Sequence, residues 1–203
     1  MKVVIIEYNA GNLFSVQAAL NRLKVKAIVS NEPQIIQNAD KVIFPGVGEM
    51  ASAMKYLRET RLLEIIRNLT QPVLGICLGL QLFCRHSEEN DSLGIGIFEA
   101  NVKRFPPSEK VPHMGWNQIH KLKGPLFENI PDGANLYFVH SYYAEILPET
   151  CGESHYILPF SAAIQKENYF AVQFHPEKSG KAGEEILRNF LSIKMNSQDH
   201  SPI

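Results

Sequence analysis

Short apolar runs punctuate the first half of the chain. Val3–Glu7, Ala27–Ser30, Val42–Phe44 and Pro72–Ile76 each have the length of a strand and read as buried β-structure. Between them the period changes. Asn12 can cap a helix that carries Leu13, Val16, Leu20 and Leu23 on one face. Helical segments are expected around Gln34–Asn38 and Ala51–Asn68, and Pro72–Ile76 runs straight into a helix-like Leu78–Cys84. Such alternation predicts an α/β fold with a doubly wound, mostly parallel sheet. From about Ile97 to Ala171 the chain instead shows short strands separated by turn signals, Phe105-Pro106-Pro107 and Pro131-Asp132-Gly133. This predicts a mixed, partly antiparallel addition to the sheet. Lys181–Ile193 closes as an amphipathic helix with Ile186, Leu187, Phe190 and Leu191 facing inward, and the polar stretch 196–203 reads as a frayed tail.

Composition narrows the function classes. The 203 residues suffice for one well-cored domain, expected over 1–195, and no repeat, low-complexity tract or linker interrupts them. A formal net charge of -1 offers no overall field for nucleic acid or a membrane surface, so neither partner is expected. The run Val3–Ile6 is too short for a secretory core, and no stretch approaches a membrane span. The 3 cysteines cannot all pair, which fits a reducing cytoplasm better than a disulfide scaffold. Cys77 and Cys84 lack metal-site spacing and no CxxC occurs, so no metal is expected.

The chemistry concentrates in three places. Gly75-Ile76-Cys77-Leu78-Gly79 follows a strand and opens a helix, the cysteine form of a nucleophile elbow. Glycines two before and two after the apex allow close backbone approach. The N–H of Leu78 is placed to stabilise an oxyanion. Read alone, Cys77 could instead be a small buried hydrophobe. Further on, Gln173-Phe174-His175-Pro176-Glu177 supplies a base, His175, and an acid, Glu177, that can orient it. An extended i, i+2 pair across Pro176 would project both side chains to one side. An isolated HPE is more often a surface pair; the deaminase signature would need a following PCxxC, which is missing. The third place is Pro45-Gly46-Val47-Gly48, beyond the strand Val42–Phe44, where glycines let backbone N–H groups turn toward a ligand. It lacks the Lys-Ser/Thr of a phosphate loop, and no GxGxxG follows the first strand, so no nucleotide or other cofactor is expected.

Together these segments resemble the class I (triad) glutamine amidotransferases, in order and spacing along the whole chain. His113-Met114-Gly115-Trp116-Asn117, Tyr137-Phe138-Val139-His140-Ser141-Tyr142 and Gln173–Ser179 narrow the likeness to the glutaminase subunits of imidazole glycerol phosphate synthases. The resemblance implies a flavodoxin-like doubly wound domain with Cys77, His175 and Glu177 as the triad. It implies oxyanion donors from Leu78, Val47 and Gly48, and glutamine contacts from Gly46, Gln81, Glu89, Ser141 and Tyr142. It also implies a (β/α)8-barrel cyclase partner in a heterodimer, touched by Trp116, Tyr137 and Lys178; by default Trp116 would be a core anchor. The usual family elbow carries methionine where this chain has Leu80, a volume-conserving swap. Cys84, Arg85 and His86 depart from the family's usual character between Gln81 and Glu89. Cys84 and Cys151 read as structural. His86, His113, His120, His155 and His200 have no partner spacing that marks chemistry, and His140 is a plausible site wall. Three other readings remain: a paralogous subunit that aminates a surface-polysaccharide sugar precursor, a free-standing cysteine hydrolase, and a non-enzymatic scaffold.

Overall fold

The apolar runs are strands, and the segments between them are helices that cover both faces of one sheet. The computed structural model describes residues 1–8 and 12–194; the expected frayed tail at 196–203 lies outside the described residues. The first half runs β1 (Val3–Ile6), α1 (Leu13–Arg22), β2 (Ala27–Ser30), α2 (Pro33–Gln37), β3 (Lys41–Phe44), α3 (Met50–Glu59), α4 (Leu62–Arg67), β4 (Val73–Ile76) and α5 (Leu78–Phe83). Then come β5 (Cys84–Ser87), β6 (Ser92–Leu93), β7 (Phe98–Arg104), β8 (His113–Ile119), β9 (Ala134–His140), β10 (Tyr142–Ala144), β11 (Thr150–Tyr156), β12 (Leu158–Lys166), β13 (Tyr169–Val172) and α6 (Gly180–Ser192).

Strands β2-β1-β3-β4-β13 lie side by side, all parallel. Beyond β13 the sheet continues antiparallel through β12 and β10 to β7, then parallel to β5, with β11 pairing β12. β8 and β9 form a separate antiparallel ribbon, in register from His113 opposite His140 to Ile119 opposite Ala134. Side chains alternate across the parallel strands and build two cores. Val4, Ile6, Val42, Phe44 and Val73 pack with α2, α3, α4 and α5. Val3, Ile5, Ile43, Leu74 and Ile76 pack with α1 and α6. Strands buried on both faces need continuous apolar runs, which is why those runs were conspicuous. The C-terminal ends of three adjacent strands, β3, β4 and β13, carry Pro45–Gly48, Cys77 and Gln173–Glu177 respectively. Ligand sites of open α/β sheets form at such ends.

Four local expectations need correction. Asn12 sits at the N-cap position of α1 but in the left-handed region (φ 79), with no side-chain cap bond; its amide is used elsewhere. The helical stretch 51–68 is two helices. Arg61 takes φ 61, and the Thr60 hydroxyl donates to the Tyr56 carbonyl, so α3 stops and α4 restarts with Leu62 and Ile66 turned into the core. No glycine or proline marks that break, so periodicity alone could not find it. The helix after Cys77 ends at Phe83, because Cys84 already pairs with Phe98 of β7. Leu191 is only partly buried at the rim of the α6 face.

Candidate active site

Cys77 stands at the sharp turn between β4 and α5 with φ 53 and ψ -102. A side-chain-bearing residue in that region is strained, and the surroundings must hold it there. Its N–H bonds the Val172 carbonyl at 2.8 Å, and its carbonyl accepts the N–H groups of Leu80 and Gln81 at 3.0 and 3.3 Å. The two flanking glycines serve the packing expected of them. A Cβ on Gly79 would lie 2.1 Å from the Phe44 carbonyl oxygen, and one on Gly75 would lie 2.7 Å from the Phe83 ring and 2.9 Å from the Gly79 backbone. The elbow is therefore pressed against the end of β3, where Pro45–Gly48 begins.

His175 and Glu177 lie buried together, His175 Nδ1 standing 2.8 Å from Glu177 Oε1. They meet in a different way from the extended pair expected: His175 is extended, but Pro176 opens a 3₁₀ turn over Pro176–Lys178. An ionised carboxylate only accepts, so Nδ1 carries a hydrogen and Nε2 is the reactive nitrogen. Nε2 of His175 and Oε2 of Glu177 are both buried without a hydrogen-bond partner among the described residues. Burial by itself would lower the His175 pKa, but the Cys77 sulfur and the Glu177 carboxylate outweigh it and raise the group to about 10. A positive imidazolium is thus favoured beside the sulfur. The turn is clamped by its neighbour β9. The His175 N–H bonds the Tyr137 carbonyl at 2.8 Å, and Ser179 Oγ donates to the His175 carbonyl while accepting the Tyr137 N–H.

A cavity of about 270 Å³ opens at the strand ends. Of the residues singled out in the sequence, Val47, Gly48, Cys77, Leu78, Gln81, Glu89, Ser141 and Tyr142 line it, together with Val139 and His140. Gly46 does not. Its carbonyl instead accepts the Leu78 N–H at 3.3 Å, so in this conformation the expected oxyanion donor is occupied. Gly46 must be glycine for a packing reason, since a Cβ there would lie 2.0 Å from Tyr8 Oη. Gly48 takes φ 119, open to glycine and strained for other residues. Glu89 faces the cavity while its Oε2 accepts the Met50 N–H at the start of α3, at 2.8 Å. A larger open depression of about 600 Å³, between Met1, Lys41 and Leu191–Lys194, lies at the opposite end of the strands and holds none of these groups.

Trp116, Tyr137 and Lys178 come together outside the cavity. The Trp116 and Tyr137 rings meet edge-on with centroids 6.1 Å apart, and Lys178 Nζ lies 6.0 Å from the Tyr137 ring. Trp116 is 58% exposed, as is Met114 two residues earlier at 63%, so the default reading of Trp116 as a core anchor is corrected. Sequence reasoning missed two site neighbours. Asn12 Nδ2 donates to Glu177 Oε1, on the same oxygen as His175. Gln173 is fully buried, with Nε2 3.6 Å from Cys77 Sγ and Oε1 3.2 Å from Gln81 Nε2. Asn12 was masked by its helix-cap identity, and Gln173 by its place inside an apolar strand end.

The model of the family "Glutamine amidotransferase class-I" matches residues 4–193. An imidazole glycerol phosphate synthase subunit HisH from Bacteroides thetaiotaomicron is 55% identical over 196 residues, covering 95% of this chain and 100% of that one. The protein of the same description from Yersinia pseudotuberculosis is 46% identical over 196 residues, with the same coverage of 95% and 100%. A solved glutamine amidotransferase from Thermotoga maritima superposes with a TM-score of 0.63 at 18% identity, over 94% of this chain and 82% of that one.

Proposed function

The chain belongs to the class-I glutamine amidotransferases, and from that premise we propose that it hydrolyses glutamine to glutamate and ammonia and passes the ammonia to a (β/α)8-barrel cyclase subunit, which forms imidazole glycerol phosphate and a purine-pathway carboxamide ribotide in histidine biosynthesis. One observation carries the reading: Cys77 stands at the strained apex of the elbow, its sulfur close enough to raise the pKa of His175, and His175 is itself bonded to buried Glu177. The relatives named above supply the pathway.

The steps follow from those positions. His175 Nε2 takes the Cys77 proton, and the thiolate attacks the glutamine carboxamide carbon. Negative charge collects on the carboxamide oxygen, and N–H donors from Leu78 and the Val47–Gly48 segment stabilise it. The imidazolium then returns the proton to the departing nitrogen, ammonia leaves, and a glutamyl thioester remains on Cys77. A water, deprotonated by His175, attacks the thioester carbon and releases glutamate. Glu177 stays ionised throughout and steadies the imidazolium. Gln81, Glu89, Ser141 and Tyr142 hold the amino-acid end of the substrate.

The Gly46 carbonyl on the Leu78 N–H supports a resting state in which the oxyanion donor set is incomplete. Rotation of peptides between Gly46 and Gly48 would release Leu78 and turn further N–H groups inward. One such donor is worth roughly 10²–10³ in rate, and a partner ligand need shift the population only by that much. Trp116, Tyr137 and Lys178 are the proposed contact with the barrel. Tyr137 joins that surface to the catalytic base directly, because its carbonyl holds the His175 N–H. The test compares glutamine turnover by the isolated chain and by the chain with its cyclase and the cyclase's nucleotide ligand. Activation by at least about two orders of magnitude is expected; equal turnover rejects the coupling and favours a free-standing hydrolase.

A further inference from the structure

Gln173 has no part in the steps above, yet it is fully buried against the nucleophile. The direction of its amide follows from groups whose polarity is fixed. The Tyr142 carbonyl can only accept, and it receives His140 Nδ1–H at 2.8 Å and Gln81 Nε2–H at 3.0 Å. Gln81 must therefore turn its nitrogen inward, and its second N–H meets an acceptor 3.2 Å away, Gln173 Oε1. With its oxygen committed to Gln81, Gln173 presents Nε2 to the other side, 3.6 Å from Cys77 Sγ. His140 is held in the donating tautomer in turn. Its Nε2 accepts from His113 Nδ1 at 3.0 Å, and His113 Nε2 accepts from Asn117 Nδ2 at 3.3 Å. Every bond on the path thus has one possible direction.

We infer that Gln173 donates a hydrogen bond to the Cys77 sulfur, and that Gln81, a wall of the glutamine cavity, sets the direction of that bond. The inference rests on Cys77 being the nucleophile. An N–H donor strengthens its bond when the sulfur becomes anionic and weakens it when the sulfur is acylated. Gln173 therefore favours the thiolate before attack and as the leaving group when the thioester is hydrolysed. Because Gln81 has both N–H groups engaged on the protein, only its oxygen is left for the substrate. Glutamine that pulls on Gln81 also pulls on the amide that steadies the nucleophile.

The experiment measures alkylation of Cys77 by iodoacetamide against pH, site by site with mass spectrometry, in the full chain. Cys84 and Cys151, both buried, provide internal controls. Gln173→Met removes the donor at similar volume and adds no charge. The midpoint of the profile should move up by about one to two pH units, a drop of roughly ten- to hundredfold in alkylation rate at pH values below both midpoints. KM for glutamine should change little while kcat falls. Gln81→Met leaves the Gln173 amide undirected and should give a smaller shift, which disappears in the Gln173→Met background. In the unaltered chain labelled with nitrogen-15, the Gln173 side-chain amide signal should titrate with the Cys77 midpoint. This reading needs no variant to fold. Superimposable alkylation profiles in the folded variants, or an amide signal that ignores the thiol, would overturn the inference. Glutamine turnover retained by Cys77→Ala would instead overturn the proposed function itself, so the two failures are distinguishable.

Discussion

Replacing Glu177 with glutamine should cost less than loss of a triad acid ordinarily does, and Asn12 is the reason. The carboxylate oxygen Oε1 accepts two hydrogens, from His175 Nδ1 and from Asn12 Nδ2. A glutamine at 177 can place either its oxygen or its nitrogen there. With nitrogen in that position, His175 would have to accept at Nδ1 and carry its hydrogen on Nε2, the wrong tautomer for a base toward Cys77. Wrong-tautomer variants of such triads lose about 10⁴ in kcat. Asn12 presents its donor Nδ2 to this position, and while it keeps that orientation it favours the amide oxygen there and with it the correct tautomer. What remains is the loss of charge assistance, on the order of 1–2 kcal/mol or roughly five- to thirtyfold in rate. Glu177→Gln should therefore keep glutamine turnover within about a hundredfold of the unaltered chain, assayed at saturating glutamine with the cyclase present. Adding Asn12→Leu removes the selection and should carry the double variant toward the 10⁴ loss, well beyond the product of the single effects. A Glu177→Gln variant as inactive as Cys77→Ala, or a double variant no worse than the two singles multiplied, would refute this role of Asn12.

Gly79→Ala would push a Cβ to 2.1 Å from the Phe44 carbonyl, so the elbow and the end of β3 must separate by about 1 Å; a displacement of that size near the chemistry costs about 10² in rate, with about 1–3 kcal/mol of stability, and a variant with unchanged kcat and melting temperature would show that this contact does not set the site. The paired imidazoles predict acid sensitivity: burial lowers His113 to about 4 and His140 to about 3, against about 6.5 in the unfolded chain. Between those values the unfolded state binds protons that the folded state refuses, so stability is lost as pH falls from about 6.5 toward 4. His113→Gln should make urea-unfolding free energy less steep across that window by up to one proton, about 1.4 kcal/mol per pH unit; equal slopes would contradict the assignment.

The parallel half of the fold was legible because strands buried on both faces must be continuously apolar, and because glycines at 75 and 79 announce a turn that nothing larger fits. The break at Thr60–Arg61 was not legible. It depends on a residue entering the left-handed region where the chain offers no glycine to mark it, and tertiary burial of Leu62 decides it. The site divides in the same way. Cys77, His175 and Glu177 declare themselves by residue type and spacing, and eight of the eleven oxyanion and cavity residues and triad members expected from the sequence line the cavity. Of the others, His175 and Glu177 are buried beside it, while Gly46 turned out to occupy the Leu78 donor. That depends on the rotation of a single peptide, which residue identity does not encode. Asn12 and Gln173 were missed because their partners lie 165 and 96 residues away along the chain.

In the proposed mechanism Cys77 becomes acylated by glutamine during turnover. Radiolabelled glutamine is turned over by the chain with its cyclase present, the reaction is quenched in acid within the steady state, and the digested protein is separated into peptides. Label is expected on the peptide carrying Cys77, alkali-labile as a thioester and absent from Cys77→Ala, with Cys84 and Cys151 unlabelled. Turnover at the full rate with no covalent label, or label that persists in Cys77→Ala, would rule out acylation of Cys77.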